Sequence, residues 1–427
     1  MFTCLNSGNC IFDEQPIQTD IQSSKLVDYH PISEFKGKDI PIQFLVSGTT
    51  EEYIDCQDIN LELTLKITKA NGKDIVAADK VGLTNLSIAS LFKDVSLTLN
   101  DKQIEGGNRH YPYAAYFSTL SQFQAQAKGT HLRTWGWQVD QPEKFDDETN
   151  TGLVERMNWS AGSKEFQLKG PIFLDFFRQP RYLISNIDMR LTFIRSKPEF
   201  ALMAFGADKY KIDITSATLF VRKCKMNPSV INGHNKGLKS ENAKYPVNHC
   251  LVTTYTIPSG MQSDTRDNLF PVQQPKALYI AMIENDAYNG DYKKNPFHFQ
   301  DFGLSNLGLY ADGSYIVHKD FTPDIDNDMY MREYNATMSS LGMYNTDDSN
   351  GITYFAFGHG SFFIMIDLTP DCNLKGNNVY PTKPGNLRLE LKFKAATTET
   401  INVLLYAVYD AKVEITELRD ILPSYQR

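Results

Sequence analysis

Cysteine and tryptophan are scarce in this chain of 427 residues, with six of the first and three of the second. Cys4, Cys10, Cys56, Cys224, Cys250 and Cys372 are scattered, with no Cys-x-x-Cys pair among them. That spacing excludes a zinc cluster and a disulfide-dense scaffold, so the thiols are expected to be reduced and mostly buried. Long apolar runs are missing as well, and none approaches the roughly 20 residues that span a bilayer. Met1-Phe2-Thr3-Cys4-Leu5 offers neither a basic segment ahead of an apolar one nor glycine in second position. No secretion signal, no N-myristoylation and synthesis in a reducing cytoplasm are therefore expected. Excess positive charge is absent too. Lys and Arg number 43 against 51 Asp and Glu, a formal net charge of −8, which excludes a globally basic grip on a phosphate backbone. Arg222-Lys223-Cys224-Lys225 forms a local basic patch, read as a solvated strand end or a weak contact with nucleic acid.

The usual signatures of chemistry are lacking. The eight histidines show no H-x-H or H-E-x-x-H spacing. Gly358-His359-Gly360-Ser361 does not bracket a serine as a nucleophile elbow requires, and no phosphate-cradling glycine loop occurs. Asp324, Asp326 and Asp328 have the spacing that opens a calcium loop. The positions that need glycine and a bidentate glutamate hold Met329 and Asn335, so an acidic turn is the better reading. No catalytic residue, cofactor or metal site is expected. The separation of a carboxylate pair exists only in the fold, which leaves a two-domain β-sandwich that binds or cleaves carbohydrate as an alternative.

What the chain has in quantity is aromatic, with 26 Phe and 22 Tyr, residues that favour strands. It also has a repeat. A hairpin is expected at Val95–Leu99 and Gln103-Ile104 around Asn100-Asp101. A helix follows, with Tyr113, Tyr116, Phe117 and Leu120 at i, i+3, i+4, i+7. Then come an apolar strand over Pro171–Phe177, an alternating strand led by Asn186, and closing strands at Tyr210–Ile214 and Ala217–Val221. Roughly 200 residues later, a separation typical of whole domains, the order returns. Leu307–Tyr310 and Tyr315–Val317 flank Asp312-Gly313, and Tyr330, Tyr334 and Met338 make a helical stripe. Strands Ser361–Leu368, Asn386–Phe393 and Ile401–Val408 complete the second copy.

Strands also precede each hairpin, at Ile42–Val46 and Leu61–Ile67 in the first half and Leu251–Ile257 and Ala277–Ile283 in the second. Around eight short strands per half, no βαβ alternation and helices confined to loops indicate an all-β chain of two tandem eight-stranded antiparallel jelly rolls or related sandwiches. The expected organisation is a mobile arm over 1–35, a first roll over 36–226, a linker over 227–244 and a second roll over 245–427. Residues 127–165 are expected to be an exposed insertion. It carries Trp135, Trp137 and Trp159, for which a contact site and burial under a folded loop are both open readings. The tyrosine stripes Tyr113, Tyr116, Phe117 and Tyr330, Tyr334 need a partner beyond the closed core of their own roll. The flank of the same sandwich, a seam between rolls and a seam between subunits all qualify.

Several segments carry a family resemblance. They include Tyr111-Pro112-Tyr113-Ala114-Ala115-Tyr116, Ile187-Asp188-Met189-Arg190-Leu191, Ala243-Lys244-Tyr245-Pro246, Glu284–Gly290 with Lys294–Phe297, Asp367-Leu368-Thr369-Pro370-Asp371 and Gly385–Glu390. Their order resembles that of the double jelly-roll major capsid proteins of Polinton/Maverick elements and adinto-like DNA viruses, relatives of the adenovirus hexon lineage, from about residue 36 to the C-terminus. The resemblance implies a non-enzymatic protein without cofactors. It also implies a homotrimeric, pseudo-hexagonal capsomer that tiles an icosahedral virion around DNA, contacting neighbouring capsomers and penton or minor capsid proteins, with the five aromatic residues above as assembly-interface candidates.

Overall fold

The computed structural model describes residues 17–425 except 36–39, 108–109, 317–318, 375, 377, 382, 384 and 386. Cys4, Cys10, Val317, His318 and Asn386 lie outside the described residues.

The first half contributes strands β1 (Ile21–Tyr29), β2 (Ile42–Val46), β3 (Glu52–Lys69), β4 (Phe92–Leu99), β5 (Lys102–Glu105), β6 (Phe166–Pro171), β7 (Met189–Arg195) and β8 (Tyr210–Met226). The second contributes β9 (Ala243–Ile257), β10 (Ser263–Arg266), β11 (Ala277–Glu284), β12 (Leu304–Ala311), β13 (Ser314–Tyr315), β14 (Phe363–Asp367), β15 (Leu387–Phe393) and β16 (Ile401–Ile415). In the first half the hydrogen-bonded orders are β1-β8-β3-β6 and β2-β7-β4-β5. In the second they are β9-β16-β11-β14 and β10-β15-β12-β13. Adding eight to each strand number turns one half into the other. Two facing antiparallel sheets in this order make a jelly roll, so the expected double jelly roll is observed.

Local sequence explains the strands. Along β3, Leu61, Leu63, Leu65 and Ile67 are buried while Glu62, Thr64 and Lys66 are partly exposed, the alternation of a sheet with one solvated face. Asn100 and Asp101 sit at φ 42° and 64°, which gives the β4–β5 hairpin a turn whose twist matches its strands. Asp312 and Gly313, at φ 50° and 80°, do the same for β12 and β13.

Several expectations need correction. Residues 21–29, placed in a mobile arm, form β1 and pair with β8 from Ile21↔Met226 to Tyr29↔Leu219. The segment expected as a linker holds a helix over Pro228–Leu238, started by Pro228 and by the Asn227 side chain, which accepts from the Ser229 N–H at 3.1 Å. The apolar run Pro171–Phe177 is not a strand: β6 ends at Pro171 and Asp175–Arg178 turns into a 3-10 helix. Asn186 has φ 62° and so precedes rather than leads β7. The counterpart of β9 is β1, not the strand at Ile42, whose counterpart is the short polar β10.

Nor is 127–165 an exposed loop. His131–Trp135 is a 3-10 helix and Thr151–Trp159 an α-helix, and Leu132, Trp137 and Leu153 are buried. Trp135 lies against Gly170, where any Cβ would come within 2.8 Å of the indole.

Candidate functional site at the seam between the halves

Helix α1 (Tyr111–Gln122) grows from the connection between β5 and β6, with Pro112 in its first turn. Its stripe faces the other half of the chain. Tyr116 stacks on Phe297 with ring centroids 4.2 Å and planes 6° apart. Phe117 lies 5.2 Å from Phe299, 5.6 Å from Tyr406, 5.7 Å from Tyr279 and 6.1 Å from Phe363. Tyr113 stacks on Tyr288 at 6.0 Å and meets Phe297 edge-on at 5.9 Å. Tyr113, Tyr116, Phe117 and Leu120 are all buried.

The receiving surface is one face of a sheet. Tyr279 and Tyr406 are direct partners in the β11–β16 ladder, and Phe363 pairs with Ala281 two residues along, so the three rings share a side. The Tyr279 hydroxyl donates to Ser121 Oγ on α1 at 3.0 Å. Because α1 covers this side and the facing sheet covers the other, β11 is buried from Ala277 to Ile283 and β16 from Ile401 to Val408.

A second cluster lies where the connection from β6 to β7 meets β9. Glu105 accepts from the N–H groups of Asp175 and Phe176 at 2.8 and 2.6 Å, and Asp175 accepts from the Cys250 N–H at 2.7 Å. Burial, reinforced by the Asp175 charge, pushes the Glu105 carboxyl up to about 8. The Tyr245 hydroxyl accepts from the Ile184 N–H and donates to the Tyr182 carbonyl, both at 3.2 Å. The Tyr406 hydroxyl reaches the Cys250 sulfur at 3.0 Å, and burial drives the Cys250 thiol well above its ordinary value. Burial thus favours the uncharged forms of Glu105 and Cys250, which suits a packed seam.

The third cluster joins residues 127–165 to the connections that follow β11 and β13. Lys128 Nζ donates to the Asn350 carbonyl at 2.8 Å and the Leu120 carbonyl at 3.3 Å, 5.6 Å from the Trp137 ring centroid. Burial lowers this ammonium to about 7. Asp146 accepts from the Asn295 N–H at 2.5 Å and lies 2.6 Å from His298 Nδ1, while Phe145 stacks on the same imidazole at 5.1 Å.

The five residues singled out from sequence thus fall in two places. Tyr113, Tyr116 and Phe117 sit together in the seam. Tyr330, at the start of helix α2 (Met331–Ser340), is buried and stacks on Tyr354 at 4.2 Å. Tyr334 is half-buried and donates to the Ile352 carbonyl at 2.9 Å. These last two pack within the second half. Their rings are covered inside the chain, so a direct contact with another subunit is not what buries them. Burial decides the reading for Trp137, which lies 5.3 Å from Tyr116, while Trp135 and Trp159 are only partly buried, Trp135 meeting Phe123 and Phe173 edge-on. Sequence reasoning missed Tyr279, Phe297, Phe299, Phe363 and Tyr406. For Tyr279, Phe363 and Tyr406 the signal was present in the apolar runs of β11, β14 and β16, which mark strands covered on both faces; Phe297 and Phe299 lie in the connection between β11 and β12, outside any such run.

The acidic turn is tied by Lys394, whose Nζ lies 2.6 Å from Asp324 and 2.8 Å from Asp326. Among the described residues no three His, Cys, Asp or Glu side chains converge as metal ligands, and no helix is long and apolar enough to cross a membrane.

No family model matches the chain. An uncharacterized protein of Caenorhabditis elegans is 23% identical over 417 residues, covering 94% of this chain and 97% of its own. Among solved structures, a chain of the Sputnik virophage particle superposes with a TM-score of 0.66 at 11% identity, covering 98% of this chain and 92% of its own. The mavirus major capsid protein gives 0.57 at 13% identity over 98% and 93%. The Faustovirus major capsid protein gives 0.53 at 10% over 94% and 91%. With its two rolls in one continuous chain and an aromatic seam between them, this protein has the fold of the double jelly-roll major capsid proteins of the virophage and Polinton lineage.

Proposed function

We propose that this chain is a structural major capsid protein and not an enzyme. Three copies close into a pseudo-hexagonal capsomer, and capsomers tile an icosahedral virion around a DNA genome. The observation that carries this reading is the exact reuse of one eight-strand topology within a single chain. Its likeness to the Sputnik chain spans more than nine-tenths of both molecules. Two similar rolls per chain suit a tile whose outline has twice as many similar corners as it has subunits. In such a tile, neighbouring capsomers and penton or minor capsid proteins are the natural partners, with at most weak contact to the packaged DNA from the Arg222–Lys225 strand end.

The seam has a task in this scheme. Tyr113, Tyr116 and Phe117 serve assembly indirectly, by fixing the angle between the two rolls so that each presents the right edge to the next subunit. Stacked aromatics at a dry, well-packed contact suit a junction that must not flex.

The test is the mass of purified full-length protein by analytical ultracentrifugation, followed by electron microscopy of concentrated samples. A stable three-chain species that forms hexagonal tiles or shells is expected. A chain that stays monomeric at every concentration overturns the proposal, as does glycan hydrolysis abolished by a single carboxylate substitution.

A further inference from the structure

Lys128 is a buried ammonium without a counter-ion. It enters the junction of the two halves from the β5–β6 connection, and the residue is only 4% exposed. Nζ donates to the carbonyls of Asn350 and of Leu120 on α1, which leaves one of its three protons unspent. The carboxylates nearest to its neighbours in sequence are engaged elsewhere. Asp140 holds Arg156 and Asn150, and Asp348 accepts from Gln124 at the surface. Among the described residues no carboxylate pairs with Lys128.

Two further donors border this ammonium with nothing to donate to. Trp137 Nε1 and Asn350 Nδ2 are buried and have no hydrogen-bond partner among the described residues. The residues themselves are 3% and 1% exposed. The Trp137 ring centroid lies 5.6 Å from Lys128 Nζ, and Asn350 is the residue whose main-chain carbonyl Nζ reaches. The Asn350 carboxamide has a fixed orientation. Its Oδ1 accepts from the Ile352 N–H at 3.1 Å, so the unspent end is the NH2 group. Buried donors are normally satisfied, and a buried charge is normally paired. All three groups lack the same thing, an acceptor, and the ammonium requires that it be negative.

We propose that Lys128, Trp137 and Asn350 hold a monatomic anion, chloride being the abundant one, at the junction of the two halves. Three donors on side chains this deeply buried leave no room for phosphate or an organic acid. A water molecule there would leave the charge unmatched, which makes it the competing occupant. The site bears on the seam directly, because Trp137 lies 5.3 Å from Tyr116, itself stacked on Phe297. An anion that binds only the folded chain stabilises it by mass action. Chloride therefore acts as a clasp between residues 127–165 and the connection that follows β13.

Urea unfolding of the full-length protein tests this below pH 7, where the ammonium is charged. Sodium chloride replaces sodium gluconate at constant ionic strength, so that screening stays the same. The midpoint is expected to rise with chloride and to saturate, and crystals grown in bromide to show an anomalous peak among the three nitrogens. Lys128→Met, which removes the charge, is expected to abolish the response. So is Asn350→Asp, which keeps the oxygen that accepts from Ile352 but sets a carboxylate beside the ammonium as its counter-ion. Trp137→Phe removes one donor and is expected to weaken chloride about tenfold. A parent with the same midpoint in both salts and no bromide peak holds water at most, and overturns the inference whether or not the variants fold. A chloride response that persists undiminished in folded Asn350→Asp also overturns it.

Discussion

Arg156 and Asp140 meet at 2.7 Å with neither side chain exposed to solvent. The guanidinium also donates to the Leu83 carbonyl at 2.8 Å and the Gln138 carbonyl at 3.2 Å, and Asp140 accepts from Asn150 at 3.0 Å. A buried pair held this way is worth little against an apolar replacement, but removing one partner strands the other charge. Arg156→Met is therefore expected to cost about 3–5 kcal/mol. The double variant Arg156→Met with Asp140→Leu is expected to recover much of that loss. Urea midpoints of the two single variants and the double one decide it, and a double variant worse than Arg156→Met refutes the account.

Tyr116 anchors the seam through its stack on Phe297 and its contact with Trp137. Truncating a buried aromatic costs roughly 3–5 kcal/mol, and Tyr116→Ala is expected to lose that much in urea unfolding. Because the ring helps fix the angle between the rolls without itself reaching another subunit, the variant is expected to assemble more weakly only in step with its lost stability. A variant that unfolds like the parent yet assembles poorly would place Tyr116 at a subunit contact instead.

Tyr113 and Tyr279 differ in their hydroxyls although both rings are buried in the same seam. Tyr279 donates to Ser121, while the Tyr113 hydroxyl has no hydrogen-bond partner among the described residues. An unpaired buried hydroxyl is a net cost, and a paired one contributes about 1 kcal/mol. Tyr113→Phe is expected to leave stability unchanged or raise it, and Tyr279→Phe to lower it by about 1 kcal/mol. Equal losses in the two variants, measured by thermal unfolding, contradict this.

The sequence made some of this legible and hid the rest for physical reasons. The alternation Leu61–Ile67 announced β3, because one face of that strand is wet. The Asn100-Asp101 and Asp312-Gly313 turns announced the hairpins, because positive φ is a requirement few residues meet. β1 and β10 stayed hidden because they bury few side chains and are held chiefly by their backbone ladders, which any composition can form. Pro171–Phe177 misled because an apolar run announces burial and not conformation; here the chain wraps into the seam as a 3-10 turn. The stripe on α1 showed that Tyr116 and Phe117 needed a partner. That the partner was Phe297, Phe299 and Tyr406 depended on contacts far apart in sequence, which no local pattern carries.

Lys128 gives the seam a pH dependence that can be isolated. Its ammonium is buried against two carbonyls and the Trp137 ring, and burial lowers it to about 7 from an ordinary value of 10.5. Between those values the unfolded chain holds a proton that the folded chain has lost, so stability rises with pH across that window. Below about 7 both states are protonated and the full cost of the buried charge is present. Glu105, raised to about 8 from 4.5, acts oppositely: the folded chain holds the extra proton, and stability falls as pH rises from 4.5 towards 8. The difference between parent and Lys128→Met removes every contribution but the lysine's. From pH 7.5 to 9 the parent is expected to gain on the variant, by at most about 1.4 kcal/mol per pH unit. Urea unfolding of both proteins at several pH values measures this. Parallel stability curves across that range would mean that Lys128 stays protonated in the folded chain and that its buried contact with the Asn350 carbonyl tolerates its charge.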